Sequence, residues 1–132
     1  MSKQPDCTFA HIGLNVIDKN ATVTWYEKYL DMKIIRSEQG DMIFLADPTG
    51  RVILEIYSNN TAPKLDLAET HFLTLHLAFL TDTPKETEAK LQAAGAVTVD
   101  PYTVTGAGDE RIMMRDPFGL GLQLIKRKEP MF

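Results

Sequence analysis

At 132 residues and 14.8 kDa, with 44% hydrophobic and 24% charged residues, the chain has the size and composition of one globular domain. Its net charge of −4 and its basic cluster only at 126–128 argue against a nucleic acid partner. No apolar run approaches the roughly 20 residues that span a bilayer, and the N-terminus lacks the apolar segment of a signal peptide, so we expect a cytoplasmic protein without a membrane partner. The single cysteine, Cys7, excludes an intrachain disulfide.

The first half of the chain predicts one strand, one helix and three further strands. Alternation in the first strand places His11, Gly13 and Asn15 on the face opposite Ile12. Asp18 is suited to cap the helix, and Asp47-Pro48 ends the third strand. The predicted strands are 8–16, 33–37, 42–46 and 52–57, and the helix runs over 18–30.

A stretch without sustained periodicity, 60–71, predicts a linker to a second half with the same order of elements. Thr83, Pro84 and Glu86 form the signature of a capping box with proline at the first helical position. Gly95 suits the left-handed position after the end of this helix. The predicted strands of this half are 72–80, 97–104, 110–115 and 120–126.

The two halves also share residues. The turn Asp-Pro-Thr-Gly at 47–50 returns as Asp-Pro-Phe-Gly at 116–119, and a strand with one lone polar residue, Glu55 or Gln123, follows each turn. His11 likewise corresponds to His76. We therefore predict a single α+β domain of two tandem βαβββ modules, at about 8–59 and 72–127, which form a curved mixed sheet around a cleft.

The lone polar residues require partners, because a carboxylate within an apolar strand costs several kcal/mol unless it is paired or bound to a metal. Strand alternation directs His11, Glu55, His76 and Gln123 away from the best apolar face of each strand. Two imidazoles, one carboxylate and one amide oxygen are a donor set for a divalent first-row metal. Taken singly, each residue also fits a structural role, such as a histidine bonded to backbone.

The chain resembles the vicinal oxygen chelate (VOC) superfamily, the group of glyoxalases, bleomycin-resistance proteins and extradiol dioxygenases. The stretch His-Ile-Gly-Leu-Asn-Val at 11–16, with Asp18, Trp25-Tyr26 and Leu30, is similar to the opening strand and helix of that family. The stretch His-Leu-Ala-Phe at 76–79 and the two Asp-Pro-x-Gly strands are similar to its later markers. The resemblance covers nearly the whole chain.

This resemblance implies a homodimer with metal ligands on the first and last strand of each module. The ligands by motif are His11, Glu55, His76 and Gln123, and the metal is nickel, cobalt, zinc, manganese or iron. Their order is closest to that of bacterial glyoxalase I, although Gln123 stands where that branch normally has a glutamate. Glutamine can still ligate through its amide oxygen, but it cannot take a proton at neutral pH, so Glu55 is the predicted catalytic carboxylate.

Three further residues are candidate contacts to a substrate. Asn15 stands where bacterial glyoxalase I usually has a substrate-binding arginine, Asn59 matches an asparagine common in bacterial members, and Tyr57 lies on the strand of Glu55. His71 is expected to be a loop or surface histidine without a role in the site.

Three hypotheses for the function follow from these residues and the resemblance. The leading one is a glyoxalase-like, metal-dependent lyase or isomerase acting on a small carbonyl or vicinal-oxygen substrate. The first alternative is a metal-free binding or resistance protein that sequesters a small aromatic compound, with possible contacts from Trp25, Phe44, Tyr57 and Tyr102. The second is an epimerase for a coenzyme A thioester.

Overall fold

The computed structural model describes residues 5–37, 42–51 and 53–131. The chain divides into two compact units, Met1–Leu65 and Asp66–Phe132. Each unit carries one helix and four strands in the order βαβββ. Unit 1 contains β1 (Ile12–Asn15), α1 (Lys19–Tyr29), β2 (Lys33–Ser37), β3 (Met42–Ala46) and β4 (Ile53–Tyr57). Unit 2 contains β5 (His76–Leu80), α2 (Pro84–Ala93), β6 (Val97–Val104), β7 (Glu110–Arg115) and β8 (Gly121–Lys126).

The strands of each unit form a mixed sheet with the same topology. The strand order is β1-β4-β3-β2 in the first sheet and β5-β8-β7-β6 in the second. In both sheets the first and last strands of the module pair in parallel, and the other neighbours are antiparallel. The predicted α+β class and the tandem βαβββ modules are therefore confirmed. The residue bounds predicted for the modules and the linker stay predictions.

Both Asp-Pro-x-Gly segments form the predicted turns. The amide of Gly50 donates to the carbonyl of Asp47 at 2.9 Å, and the amide of Gly119 donates to that of Asp116 at 3.0 Å. Each glycine ends its turn with positive φ, 74° for Gly50 and 100° for Gly119, a conformation that glycine adopts without the steric cost of a Cβ. The turns thus return the chain to begin β4 and β8.

Two strands begin four residues later than predicted. The first starts at Ile12 rather than at residue 8, and the preceding Phe9 is 78% exposed. The fifth starts at His76 rather than at residue 72, because the amide of Thr74 donates to the carbonyl of His71 at 2.9 Å and closes a turn there. The predicted hairpin turn at 38–41 and Val52 lie outside the described residues.

The helix ends agree with the sequence in three of four features, one of which is Pro84 at the start of α2. The side chain of Asp18 accepts from the amide of Ala21 at 3.0 Å and caps α1 as predicted. Gly95 has the predicted positive φ of 100° after α2. The capping box at Thr83 is wrong, since its side chain makes no cap hydrogen bond. Its amide donates instead to Oγ1 of Thr81 at 3.1 Å.

Most of the core lies on the helix-covered face of each sheet. In unit 1, Tyr26 of α1 is buried with Leu45 of β3 and Ile56 of β4. In unit 2, Leu91 of α2 is fully buried together with Ile112, Met114, Leu122 and Leu124 of β7 and β8. Because side chains alternate along a strand, Glu55 and Gln123 lie on the opposite sheet faces. No helix within the described ranges has the length and apolar character needed to cross a membrane.

Candidate functional site

Unit 1 brings together the predicted ligands His11 and Glu55. Glu55 lies in the middle of β4, and its partner in β1 is Gly13. His11 precedes Gly13 by two residues and therefore shares its side of the sheet. Nε2 of His11 lies 3.8 Å from Oε1 of Glu55, and the two side chains are 37% and 18% exposed. The carboxylate is thus half-buried beside an accessible imidazole.

Three neighbours shape this pair. Phe44 of β3 is the strand partner of Glu55, and its ring meets the His11 ring edge to face at 5.3 Å and 87°. A Cβ added at Gly13 would lie 3.3 Å from Oε1 of Glu55 and 3.2 Å from Oη of Tyr57. The missing side chain at position 13 therefore leaves the space into which the Glu55 carboxylate and the Tyr57 hydroxyl project.

Unit 2 repeats this arrangement with His76 and Gln123. Gln123 of β8 pairs with Ala78 of β5, as Glu55 pairs with Gly13, and His76 again precedes that partner by two residues. Met113 of β7 is the strand partner of Gln123 and so takes the position of Phe44. The correspondence inferred from the sequence thus extends to the strand register of the two pairs.

The hydrogen bonds of His76 and Gln123 leave one atom of each side chain able to bind a metal. Nδ1 of His76 lies 2.8 Å from the carbonyl oxygen of Phe72. A carbonyl oxygen only accepts, so Nδ1 carries the proton and Nε2 keeps its lone pair in the neutral ring. Nε2 of Gln123 donates to Sδ of Met113 at 3.5 Å, which leaves the amide oxygen as the atom for a further partner. Ligating histidines are commonly held in this way through their other ring nitrogen.

Each unit supplies two members of the predicted ligand set. Within residues 5–37, 42–51 and 53–131, no group of three or more His, Cys, Asp or Glu side chains is placed to hold a metal ion. His11 and Glu55 belong to unit 1 and His76 to unit 2, so neither unit alone contains three of these predicted ligands. The joint ligation of one metal by His11, Glu55, His76 and Gln123 stays a prediction.

Two of the predicted substrate contacts have structural tasks. Nδ2 of Asn15 lies within 3.2 Å of the carbonyl oxygens of Asn59, Ala62 and Pro63, and its Oδ1 accepts from the amide of Asn59 at 2.7 Å. The side chain of Asn59 accepts from the amide of Thr61 at 2.8 Å. Both asparagines therefore stabilise the loop that follows β4, and their contact with a substrate stays a prediction.

The four aromatic residues of the sequestration hypothesis separate into two groups. Trp25 is 7% exposed and packs against Tyr26 and Tyr29 on α1. Tyr102 donates a hydrogen bond to Glu110 at 2.7 Å. Phe44 and Tyr57 are the two of these four that lie beside the His11–Glu55 pair. The ring of Phe44 contacts the ring of His11, and the hydroxyl of Tyr57 projects over Gly13 next to Glu55.

The sequence reasoning missed Gly13 and Met113, which contact or border the paired side chains. Extending the repeat from the Asp-Pro-x-Gly turns back by three residues would have aligned Phe44 with Met113. The contact of Gly13 with Glu55 depends on the pairing of β1 with β4. No repeat or motif in the sequence marks that pairing.

Comparisons with known proteins agree with this fold. The family model described as "Glyoxalase/Bleomycin resistance protein/Dioxygenase superfamily" matches residues 8–124. The chain is 30% identical over 127 residues to a "Putative lactoylglutathione lyase" of Brassica oleracea var. gemmifera, covering 90% of this chain and 44% of that protein. The chain thus spans less than half the length of that relative.

Two similar solved structures carry different functional names. Lactoylglutathione lyase from Agrobacterium tumefaciens has a TM-score of 0.67 and 19% identity, with 98% of this chain and 100% of that chain covered. A bleomycin resistance determinant encoded on the transposon Tn5 has a TM-score of 0.63 and 21% identity, with 93% and 100% covered. At these identities the likeness establishes the fold. From the family model, which spans nearly the whole chain, the protein belongs to the glyoxalase/bleomycin resistance protein/dioxygenase superfamily.

Proposed function

We propose that this protein is a glyoxalase-like, metal-dependent lyase or isomerase acting on a small substrate with a carbonyl or vicinal oxygens. The proposed ligands of the divalent metal are His11, Glu55, His76 and Gln123. The named activity of the Brassica relative supports the reaction class. Because the chain spans 44% of that relative, its substrate is not carried over to this protein.

The observation that carries the proposal is the repeated register of two potential ligand pairs. In each sheet a histidine lies two residues before the strand partner of the carboxylate or amide, just before β1 in unit 1 and at the start of β5 in unit 2. A structural role for each residue alone does not require this equivalence.

The chemistry of the donor atoms fits a divalent metal. Nε2 of His76 has a lone pair in the ring tautomer that the Phe72 carbonyl fixes. The amide oxygen of Gln123 and the carboxylate of Glu55 are oxygen ligands that first-row metals accept. When bound, the metal would supply Lewis-acid stabilisation of negative charge on a substrate oxygen.

Glu55 is the proposed proton acceptor. It is the only carboxylate of the proposed set, and Gln123 cannot accept a proton at neutral pH. The open space over Gly13 lets its carboxylate project beyond the sheet. In this role Glu55 removes a proton from the hydroxyl-bearing carbon next to the substrate carbonyl and returns it to the carbonyl carbon, while the hydroxyl proton moves to the other oxygen. The substrate is thereby isomerised without an oxidant.

Metal analysis tests the proposal. Protein purified without an affinity tag is expected to contain a divalent metal, and His76→Ala is expected to lose most of it. His71→Ala is the matched control, because the side chain of the exposed His71 contacts its own turn, at the amide of Leu73 and the ring of Phe72. Absence of metal from the parent protein, or equal metal content in both variants, would show that the proposed centre is wrong.

A second candidate function is sequestration of a small aromatic compound without a metal. Phe44 beside His11 and the Tyr57 hydroxyl over Gly13 favour it, because they add an aromatic surface to a polar pair. Binding of a small planar aromatic compound that does not chelate metals, such as acridine, measured by calorimetry, should then persist after the protein is treated with EDTA. Turnover that EDTA abolishes would instead favour the enzyme. No feature favours the coenzyme A thioester epimerase over these two candidates.

The remaining proposals concern the assembly and its location. We propose a homodimer on the basis of the family resemblance, and the cytoplasmic location expected from the sequence stays a proposal. Light scattering over a range of protein concentrations tests the dimer, and a mass of one chain throughout would contradict it.

A further inference from the structure

Three arginines lie on or next to the strands β7 and β8 in unit 2. Arg111 and Arg115 stand two residues before and after Met113 on β7, and Arg127 follows β8. Met113 contacts Gln123 through the sulfur. Since strand side chains alternate between faces, Arg111 shares with Met113 the sheet face that carries Gln123.

Two of these arginines are held by direct hydrogen bonds. Nη1 of Arg115 donates to the carbonyl oxygens of Gly119 at 2.7 Å and Leu67 at 3.0 Å. Nη1 of Arg127 donates to Oδ2 of Asp109 at 3.2 Å. Both guanidinium groups are therefore engaged in holding loops and turns of unit 2.

Arg111 differs from both. Within the part of the chain that the structure describes, the interaction of its guanidinium is an ion pair with Asp100, at 3.8 Å between Nη2 and Oδ2. This separation is too long for a hydrogen bond. The two side chains are 36% and 40% exposed, so solvent screens the pair and its contribution to stability is small. An incoming anion can therefore replace Asp100 at little cost.

The position of Arg111 relates it to the proposed ligand Gln123. On the antiparallel strands, Met113 pairs with Gln123 and Arg111 pairs with Ile125. Arg111 is thus the diagonal neighbour of Gln123, at a typical separation of about 7–8 Å, which long side chains can bridge. Its planar guanidinium suits two-point binding of a carboxylate or phosphate.

We propose that Arg111 binds an anionic group, a carboxylate or a phosphate, on the substrate whose oxygens reach the metal centre. The inference rests on the proposed function for the identity of the ligand as substrate. The anion site itself does not depend on a metal. It restricts the substrate class to small carbonyl compounds that carry a negative charge at a distance from the reacting carbon.

The first arm of the test uses metal-free protein. Succinate and methyl phosphate are titrated separately while NMR follows the arginine Nε–Hε signals, with that of Arg111 assigned through Arg111→Gln. Saturable movement of the Arg111 signal is expected with at least one anion, and the anion that saturates at lower concentration identifies the preferred group. The signal of Arg51, an exposed arginine beside the turn of unit 1, should not saturate.

The second arm uses metal-loaded protein and two hydroxamates that bind metals through vicinal oxygens. Succinic monohydroxamate carries a carboxylate, and its methyl ester does not. By calorimetry, the parent protein should prefer the anionic compound by about tenfold, as expected for one charged hydrogen-bonded contact. Arg111→Gln should abolish this preference and leave the affinity for the ester unchanged, whereas Arg51→Gln should retain it.

The outcomes separate this inference from the proposed metal centre. A static Arg111 signal, or a preference for the anionic hydroxamate that survives Arg111→Gln, overturns the anion site even if metal binds. A saturable Arg111 signal in a protein that binds no metal supports the anion site and overturns the metal-dependent function. Equal binding of both hydroxamates to the metal-loaded parent protein leaves the metal centre standing and removes Arg111 as a substrate contact.

Discussion

A methyl group placed on Gly13 would stand 3.3 Å from Oε1 of Glu55, a contact closer than most real Cβ contacts. Gly13 is not among the glycines with positive φ, so alanine fits its backbone. The added methyl group would therefore displace the carboxylate of Glu55 and leave the backbone of the sheet in place. The equivalent position in module 2 carries Ala78, whose strand partner is the uncharged Gln123.

We predict that Gly13→Ala weakens metal binding about tenfold, at the low end for residues that orient a ligand. Stability should change little, because the groups that must move are the ends of the Glu55 and Tyr57 side chains. Metal affinity by competition with a chelator and urea denaturation measure the two effects. Ala78→Gly is the control and should leave metal affinity unchanged. Equal affinity of Gly13→Ala and the parent protein would contradict the positioning role.

The carboxylate and amide of the two modules should contribute unequally to turnover. Glu55→Gln should lower the rate by about 100-fold or more, because it removes the only carboxylate of the set, the proposed proton acceptor. Gln123→Glu should keep at least the parent rate, because it adds a second carboxylate. Initial rates on a small carbonyl substrate that the parent protein turns over, measured at matched metal occupancy, provide the assay. Retention of the parent rate in Glu55→Gln would exclude Glu55 as the base.

Strand alternation was sufficient to predict the face of Glu55 and Gln123, since each lies within a strand bounded by a recognisable turn. It was not sufficient at His76, where the extension of the strand to residue 72 was wrong. Backbone hydrogen bonds from Thr74 and Leu75 to His71 close the turn there, and hydropathy does not report them. The same turn region brings the Phe72 carbonyl to His76. The ring tautomer of His76 therefore could not be predicted from the sequence either.

The structural role of Asn15 could not be predicted from the sequence, for a different reason. Its side chain bonds to backbone groups of Asn59, Ala62 and Pro63, which are 44 to 48 residues away. Any residue type supplies such carbonyls, so no motif marks them. The residue-to-residue comparison with glyoxalase I could propose only a substrate contact at this position.

Asn15→Ala should destabilise the protein by about 2 kcal/mol. This estimate sums the side-chain hydrogen bonds of Asn15, which are exposed, so each contributes about 1 kcal/mol or less to the free energy of unfolding. Urea denaturation followed by circular dichroism measures it. Asn60→Ala is the control, with an expected change below about 0.5 kcal/mol, because its Oδ1 accepts only from Nζ of Lys64. A substrate contact without a structural task would instead change KM and leave stability as in the parent protein.

Tyr102 should titrate abnormally because of Glu110. The hydrogen bond from its hydroxyl to the Glu110 carboxylate raises the pKa of Tyr102 above the ordinary value of 10.0, and desolvation and the nearby negative charge act in the same direction. Glu110→Gln should lower this pKa towards 10.0. NMR titration with tyrosine labelled at Cζ resolves the signal, and an identical pKa in the variant would show that Glu110 is not the cause.

The sign of the linked stability follows from the raised pKa of Tyr102. The folded protein holds the phenolic proton more tightly than the unfolded chain, so this contribution is fully present below about pH 10. It is lost as the pH rises through the folded-state pKa. Urea denaturation at pH 9 and pH 11 should therefore show a larger loss of stability in the parent protein than in Glu110→Gln.

The two turn glycines share a backbone conformation that is strained for other residues but differ in how closely other atoms approach them, so substituting each separates the cost of strain from that of steric contact. Both Gly50 and Gly119 have positive φ, which costs a residue with a Cβ about 1–2 kcal/mol. A Cβ at Gly50 would meet nothing within 4 Å, whereas at Gly119 it would lie 3.0 Å from the amide nitrogen of Ala68 and 3.1 Å from the carbonyl carbon of Leu67.

We predict that Gly50→Ala costs about 1 kcal/mol and Gly119→Ala about 3 kcal/mol, since the second change adds overpacking to the same strain. Backbone cannot rotate aside as a flexible side chain can, and Leu67 is also held through its carbonyl oxygen by Arg115. Urea denaturation of both variants gives the difference. Equal losses would mean that the segment at 67–68 moves away from the turn, and the Arg115 bond to Leu67 would then be the first interaction to break.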